Sequence, residues 1–296
     1  MRTSKVSGSV WFALTLVYVL WGSTYLAIRI VVQTMPPFLS GARFITAGLL
    51  LAGVVAWRFG PSALRVTRAQ LGSAVLVGLL LILGGNGLVV LGETAVPSGL
   101  AALLIAAVPV WLVVLRAATG DRPPARTVAG VLLGLAGLAV LTSPAFGGDV
   151  RLWGVLLVLT ASVLWALGSF ASSKLPLPAN PFAGSVYQML AGGIGGILTG
   201  LARGEQQALR PSDFSTASWL ALGYLVVFGS LVAFTSYVWL LSSAPLSLVA
   251  TYAYVNPVVA VALGSLILDE PLTWPIVTGG AIVVAGVGLI VSTERG

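Results

Sequence analysis

Leu20-Trp21-Gly22-Ser23-Thr24-Tyr25 stands inside a long apolar run, and its first pair returns as Leu164-Trp165. Pro37-Phe38 returns as Pro181-Phe182 and Ala47-Gly48 as Ala191-Gly192, at the same offset. Further along, Pro97 matches Pro245, Pro109 matches Pro257, and Asp121-x-Pro123 matches Asp269-x-Pro271, at a slightly larger one. Each half carries about five apolar segments long enough to cross ~30 Å of hydrocarbon. An odd number of crossings flips the second copy in the membrane. Two inverted copies with a site between them is the architecture of secondary transporters.

The spans are expected near 9–31, 38–57, 70–91, 96–116, 126–143, 152–173, 181–202, 217–240, 246–267 and 273–292. Backbone polar groups in lipid are satisfied only by helices or closed barrels. Strict alternation of apolar and polar residues is absent, so the expected fold is an all-α integral membrane protein of about ten transmembrane helices. The halves divide as 1–145 and 146–296, joined by a short loop from Thr142-Ser143-Pro144 through Gly147-Gly148.

Of 296 residues, 58% are hydrophobic and 8% charged. A soluble domain carries roughly 25% charged residues, so an ordinary soluble protein is excluded. The net charge of +7 does not point to nucleic acid, because the basic residues lie in short loops between spans. Arg2, Lys5, Arg58, Arg65, Arg68, Arg116, Arg122, Arg126, Lys174 and Arg295 fall on one side; Arg151, Arg203 and Arg210 fall on the other. The richer side is cytoplasmic by the positive-inside rule, which puts both termini in the cytoplasm. The first apolar run has no small-residue cleavage pattern and is expected to be retained as a span.

Histidine and cysteine are absent from the chain. That removes imidazole proton chemistry, thiol nucleophiles and ordinary zinc sites. No metal, cofactor or catalytic residue is expected. The expected partners are the lipid bilayer and a small-molecule substrate, with the chain a monomer or weak homodimer. An intramembrane enzyme would need an activated nucleophile at depth, and no mid-span acid or lysine supplies one. A channel would need a ring of charges or carbonyls around an axis. These two remain the alternatives.

Trp11, Trp57, Trp153, Trp219 and Trp274 lie near span ends, where interfacial anchoring is the natural account. Trp21 and Trp165 lie mid-span at matching positions and are expected, with Tyr25, to form aromatic walls. Pro109 and Pro257 also match, inside the fourth and ninth spans. Proline removes a backbone bond, so each marks a hinge or kink, by packing or at a midplane site. Tyr252-Ala253-Tyr254-Val255-Asn256-Pro257 is the densest polar-aromatic run at depth. Tyr252 and Asn256 suit a small zwitterion or a polar metabolite with an apolar part; the alternative for Asn256 is a bond between helices.

Arg43 lies about a turn from the outer end of the second span and Arg29 ends the first. Arg43 is either a ligand for a substrate carboxylate or a side chain that snorkels to the headgroups. Asn86, within Gly84-Gly85-Asn86-Gly87, either faces Arg43 or packs. Gly130-x-x-x-Gly134, Gly279 with Gly286, and Gly192-x-x-x-Gly196-x-x-x-Gly200 are packing faces. No Asp or Glu lies mid-span, and the nearest, Glu93 and Glu270, flank spans on the outer side. Coupling through an intramembrane carboxylate is therefore disfavoured; uncoupled movement, exchange, or coupling through Glu93 at the mouth remain.

The series Trp21-Gly22-Ser23-Thr24-Tyr25, Pro36-Pro37 with Arg43-Phe44, Gly85-Asn86-Gly87, Val96-Pro97-Ser98-Gly99, Trp165-Ala166, Tyr252 through Val261, and Glu270-Pro271 resembles the EamA-type drug/metabolite transporters, especially their YedA-like exporters. The resemblance covers nearly the whole chain. It implies two inverted five-helix repeats, alternating access, and a central cavity lined by spans one to four and six to nine. It also implies export of small metabolites such as amino acids, or of drugs, across a bacterial inner membrane. The four-helix multidrug relatives carry a membrane glutamate in the first span, which this chain lacks.

Overall fold

The computed structural model describes residues 7–96, 98–121, 123–141, 151–259 and 273–294. Every regular element among them is helical: α1 Gly8–Val31, α2 Ala42–Phe59, α3 Arg68–Gly92, α4 Ser98–Ile105, α5 Val108–Ala118, α6 Ala125–Leu141, α7 Leu152–Ser172, α8 Pro181–Ala202, α9 Thr216–Ser243, α10 Leu246–Val259 and α11 Trp274–Glu294. Six of these, α1, α2, α3, α7, α8 and α9, are long and apolar enough to cross a membrane. Several expectations lie outside the described residues: the joining loop at Thr142–Gly148, Pro97, Arg122, Ala260-Val261, Asp269-Glu270-Pro271 and the charged ends at Arg2, Lys5 and Arg295.

Local chemistry sets the helix ends. Thr67 and Gln70 form a reciprocal capping box at the start of α3, with Thr67 N–H donating to Gln70 Oε1 at 2.9 Å. Asn180 caps α8 by accepting from Phe182 N–H at 3.0 Å, and Pro181 follows at the first helical turn. Gly204 closes α8 with φ +77°, a left-handed conformation that glycine adopts without strain.

The glycine faces are where helices meet most closely. A Cβ on Gly192 would lie 2.3 Å from Ile82 Cβ, which brings α8 onto α3. A Cβ on Gly130 would lie 2.8 Å from the Gly286 carbonyl, and α6 and α11 pack along their lengths there. Small residues allow this approach, and dispersion contact is what holds helices together in lipid.

Two features depart from regular spans. In α3 and α9 the helix widens to i→i+5 turns over Leu79–Gly87 and Leu225–Phe234. These segments begin 146 residues apart, between the two repeat offsets seen in the sequence. The expected fourth span is interrupted: α4 ends at Ile105, and Pro109 sits buried in the first turn of α5. Pro257 lies within α10, whose own irregularity falls earlier, at Thr251.

Candidate functional site

A cavity of about 600 Å³ lies between α1, α2, α3, α4, α7, α9 and α10. It occupies the half of the bundle that holds the C-terminal end of α1 and the start of α2. All seven side chains singled out as binders in the sequence border it: Trp21, Tyr25, Arg43, Asn86, Trp165, Tyr252 and Asn256. Pro109 and Pro257 do not.

The floor is aromatic. The Trp21 ring centroid lies 5.3 Å from Trp165, 5.0 Å from Tyr237 and 5.0 Å from Tyr252. The Trp21–Trp165 contact is edge-to-face at 82°, an arrangement the ring quadrupoles favour. Polar atoms lock these rings. Trp21 Nε1 donates to the Gly229 carbonyl at 3.2 Å, and Trp165 Nε1 donates to Tyr237 Oη at 3.0 Å. The Asn256 amide, assigned from its surroundings, donates to the carbonyls of Tyr252 at 3.0 Å and Tyr18 at 3.2 Å.

The opposite end is polar. Arg43 is only 5% exposed, so it turns into the bundle rather than toward headgroups. Its Nη2 donates to Asn86 Oδ1 at 2.6 Å, and its guanidinium lies 4.5 Å from the Phe44 ring centroid. Both widened helical segments reach the cavity: Gly85 and Asn86 from α3, Gly229 and Phe234 from α9. A wide turn displaces one residue from the helical register and often marks a functional site. Gly85 is required here, because a Cβ would lie 2.5 Å from Trp165 Cε3.

Glu93 departs from its expected place at an outer mouth. It follows α3 directly and is fully buried. Its backbone carbonyl accepts from Arg29 Nη1, and neither carboxylate oxygen has a hydrogen-bond partner among the described residues. Arg29 itself is exposed at the end of α1. Tyr254 stands apart from the cavity, donating to the Val131 carbonyl at 3.0 Å.

Thr24, Phe44, Gly229 and Phe234 are among the cavity residues that the sequence did not single out as binders. Phe44 adjoins Arg43 and could have been found by its neighbour. Tyr237 was also missed, although it is a mid-span tyrosine in the floor cluster. Gly229 and Phe234 carry no signal, since only the widened turn aims them inward.

The model of the EamA-like transporter family matches residues 8–143 and 152–292. The chain belongs to the EamA-like transporter family. Among its EamA relatives, the uncharacterized inner membrane transporter YedA of Escherichia coli is 39% identical over 265 residues, covering 88% of this chain and 83% of YedA. A probable terminal-alkyne amino-acid exporter of Streptantibioticus cattleyicolor is 30% identical over 295 residues, covering 97% and 94%. A crystal structure at 23% identity superposes with a TM-score of 0.77 over 97% of this chain and 98% of that one, which shows a shared fold. This EamA protein is thus a membrane transporter, and the family and relatives' names are those of transporters rather than enzymes.

Proposed function

We propose that the protein is a secondary carrier that exports small organic metabolites, amino acids or related amphipathic compounds, by alternating access at the cavity described above. The observation that carries this is the cavity itself, which joins an aromatic floor, a buried guanidinium and two amides on one wall. Its ten crossings form two inverted copies, with α4 and α5 together making one broken crossing. Helix directions support that topology. Arg151 N–H at the start of α7 donates to the Ala95 carbonyl beyond the end of α3. Tyr187 Oη near the start of α8 donates to the Leu64 carbonyl beyond the end of α2. Equivalent helices of the two halves therefore run in opposite senses.

Both termini lie in the cytoplasm of a bacterial inner membrane, in keeping with the loop charges and with YedA, an inner membrane transporter by name. With that orientation the cavity opens toward the outer side and the aromatic floor closes the inner one. Bending near Pro109 and Pro257 accompanies the switch between the two states. The exporter similar to this chain in Streptantibioticus cattleyicolor supports an amino-acid-like cargo.

Counterflow in proteoliposomes tests the carrier. Vesicles are loaded with unlabelled amino acids, sugars, purines or aryl carboxylates, and uptake of the labelled counterpart is followed with and without a pH gradient. Accumulation of one class, lost in Asn256→Leu, is expected. An unsaturable leak at channel-like rates would overturn it. Wild-type counterflow in a Pro109→Ala/Pro257→Ala variant would remove the hinge role.

A further inference from the structure

The charge of the site is unbalanced, and the imbalance has a sign. Among the described residues, Arg43 is the only charged side chain on the cavity wall. Of the five N–H donors of its guanidinium, only the Nη2 bond to Asn86 is recorded among the described residues. Nε and Nη1 remain for an occupant. No ion pair to Arg43 is formed among the described residues.

The nearby acid does not close the account. Glu93 is fully buried near Arg29, and no ion pair or hydrogen bond joins its carboxylate to Arg43 among the described residues. Arg29 also holds the Glu93 backbone carbonyl. Arg29 is exposed at the end of α1, so the buried cation left without a paired counter-charge is Arg43, and protonation of Glu93 would only widen that deficit. Two other acids among the described residues pair elsewhere: Asp121 with Arg116 at 2.8 Å and Glu205 with Arg203 at 3.6 Å. A buried cation without a counter-charge is costly, and a ligand that supplies the charge removes that cost.

We propose that the cargo is an organic anion, with one negative charge at Arg43 and an apolar, preferably aromatic, body against Trp21 and Trp165. This rests on the carrier reading and narrows its cargo, from amino acids and related amphipathic compounds to those that carry a net negative charge. An oxyanion facing Nε and Nη1 would form charge-assisted bonds, bidentate if it is a carboxylate. The rings could hold a cation by their π faces. A cation there would stand in one low-dielectric cavity with Arg43, and among the described residues no carboxylate lines that wall to offset the repulsion. The ammonium of a zwitterion would likewise meet only neutral acceptors. The polar end thus selects net negative over zwitterionic cargo.

Four probes of one shape separate the charges: 3-phenylpropanoate, phenylalanine, 3-phenylpropanamide and 3-phenylpropylamine. Their binding to the purified full chain is read by quenching of tryptophan fluorescence, independently of flux, and each is then tried in counterflow. The propanoate is expected to bind at least about tenfold tighter than the amide, which lacks the charge for a charge-assisted bond. The amine is expected to be weakest. In Arg43→Gln the four affinities should converge, and Arg43→Lys should keep the order should the glutamine variant fail to fold. Glu93→Gln should bind the propanoate no less tightly than wild type. Tightest binding by phenylalanine, the amide or the amine overturns the proposal, as does a failure of all four to bind at millimolar concentration. Propanoate binding without counterflow defeats the carrier reading alone; counterflow led by the amine defeats the anion alone.

Discussion

Arg43 and Asn86 divide one task at the polar end of the cavity. Arg43 supplies charge, and Asn86 holds one amino group of the guanidinium at 2.6 Å so that the others face inward. Asn86→Ala should therefore keep the fold and the charge but release the orientation. We expect 3-phenylpropanoate binding to weaken by about tenfold, the worth of one hydrogen bond to a charged group. The quenching titration checks this, and an unchanged affinity would show that Asn86 only packs. The same geometry explains why sequence left Arg43 open. Its position one turn from a helix end permits both an inward side chain and a snorkelling one. Only the packing around α2 decides between them.

At the scale of elements, close contacts make separable predictions. Gly192→Ala would drive a methyl to 2.3 Å from Ile82 across the α8–α3 contact. Overpacking of this kind costs about 1–3 kcal/mol, read as a lower midpoint of thermal unfolding. Gly53→Ala on α2 has no atom within 4 Å to meet and should leave the midpoint unchanged or raise it. Equal losses in both variants would mean that the α8–α3 contact is not the cause. The end of α5 offers a pH prediction. Arg116 Nε donates to Asp121 at 2.8 Å, and its Nη1 reaches Ser247 at the start of α10 at 2.7 Å. The hydrogen bond and charge of Arg116 hold the Asp121 carboxyl below the usual carboxylate range. A depressed value in the folded state contributes stability above the unfolded value of about 3.9 and loses it as pH falls through the lower folded one. The midpoint of Asp121→Asn should thus lie slightly below that of wild type at neutral pH, and the gap should close as pH falls through the lowered folded value. A gap that persists in acid would assign it to something other than this pair.

For the whole molecule the orientation is the testable quantity. The chain has no cysteine, so a single introduced thiol reports its own side of the membrane. Ser62→Cys, between α2 and α3, should react with an impermeant maleimide only after the inner face is opened. Ser212→Cys, between α8 and α9, should react in intact cells. Reversed labelling would invert the molecule and place the cavity on the cytoplasmic side. Glu93 belongs to this scale too. Its sequence position at a helix end suggested a mouth, but packing of several helices encloses it. Burial of a loop acid is a property of the assembled bundle and leaves no local pattern.

The sequence by itself determined the helical membrane class, the six long apolar helices and most of the aromatic and polar wall. Those follow from length, hydropathy and residue type, because lipid restricts the backbone to helices and makes each polar group at depth conspicuous. Trp21, Trp165, Tyr252 and Asn256 were legible for that reason. Only the tertiary structure decided the widened turns of α3 and α9, the break between α4 and α5, the inward turn of Arg43 and the burial of Glu93. Each depends on which helices touch: Gly85 yields to Trp165, and Gly229 and Phe234 are aimed by a turn that hydropathy does not encode. The charge deficit of the cavity likewise arises from which side chains share a wall. Composition counts charges along the chain, whereas the fold sets which of them face one another.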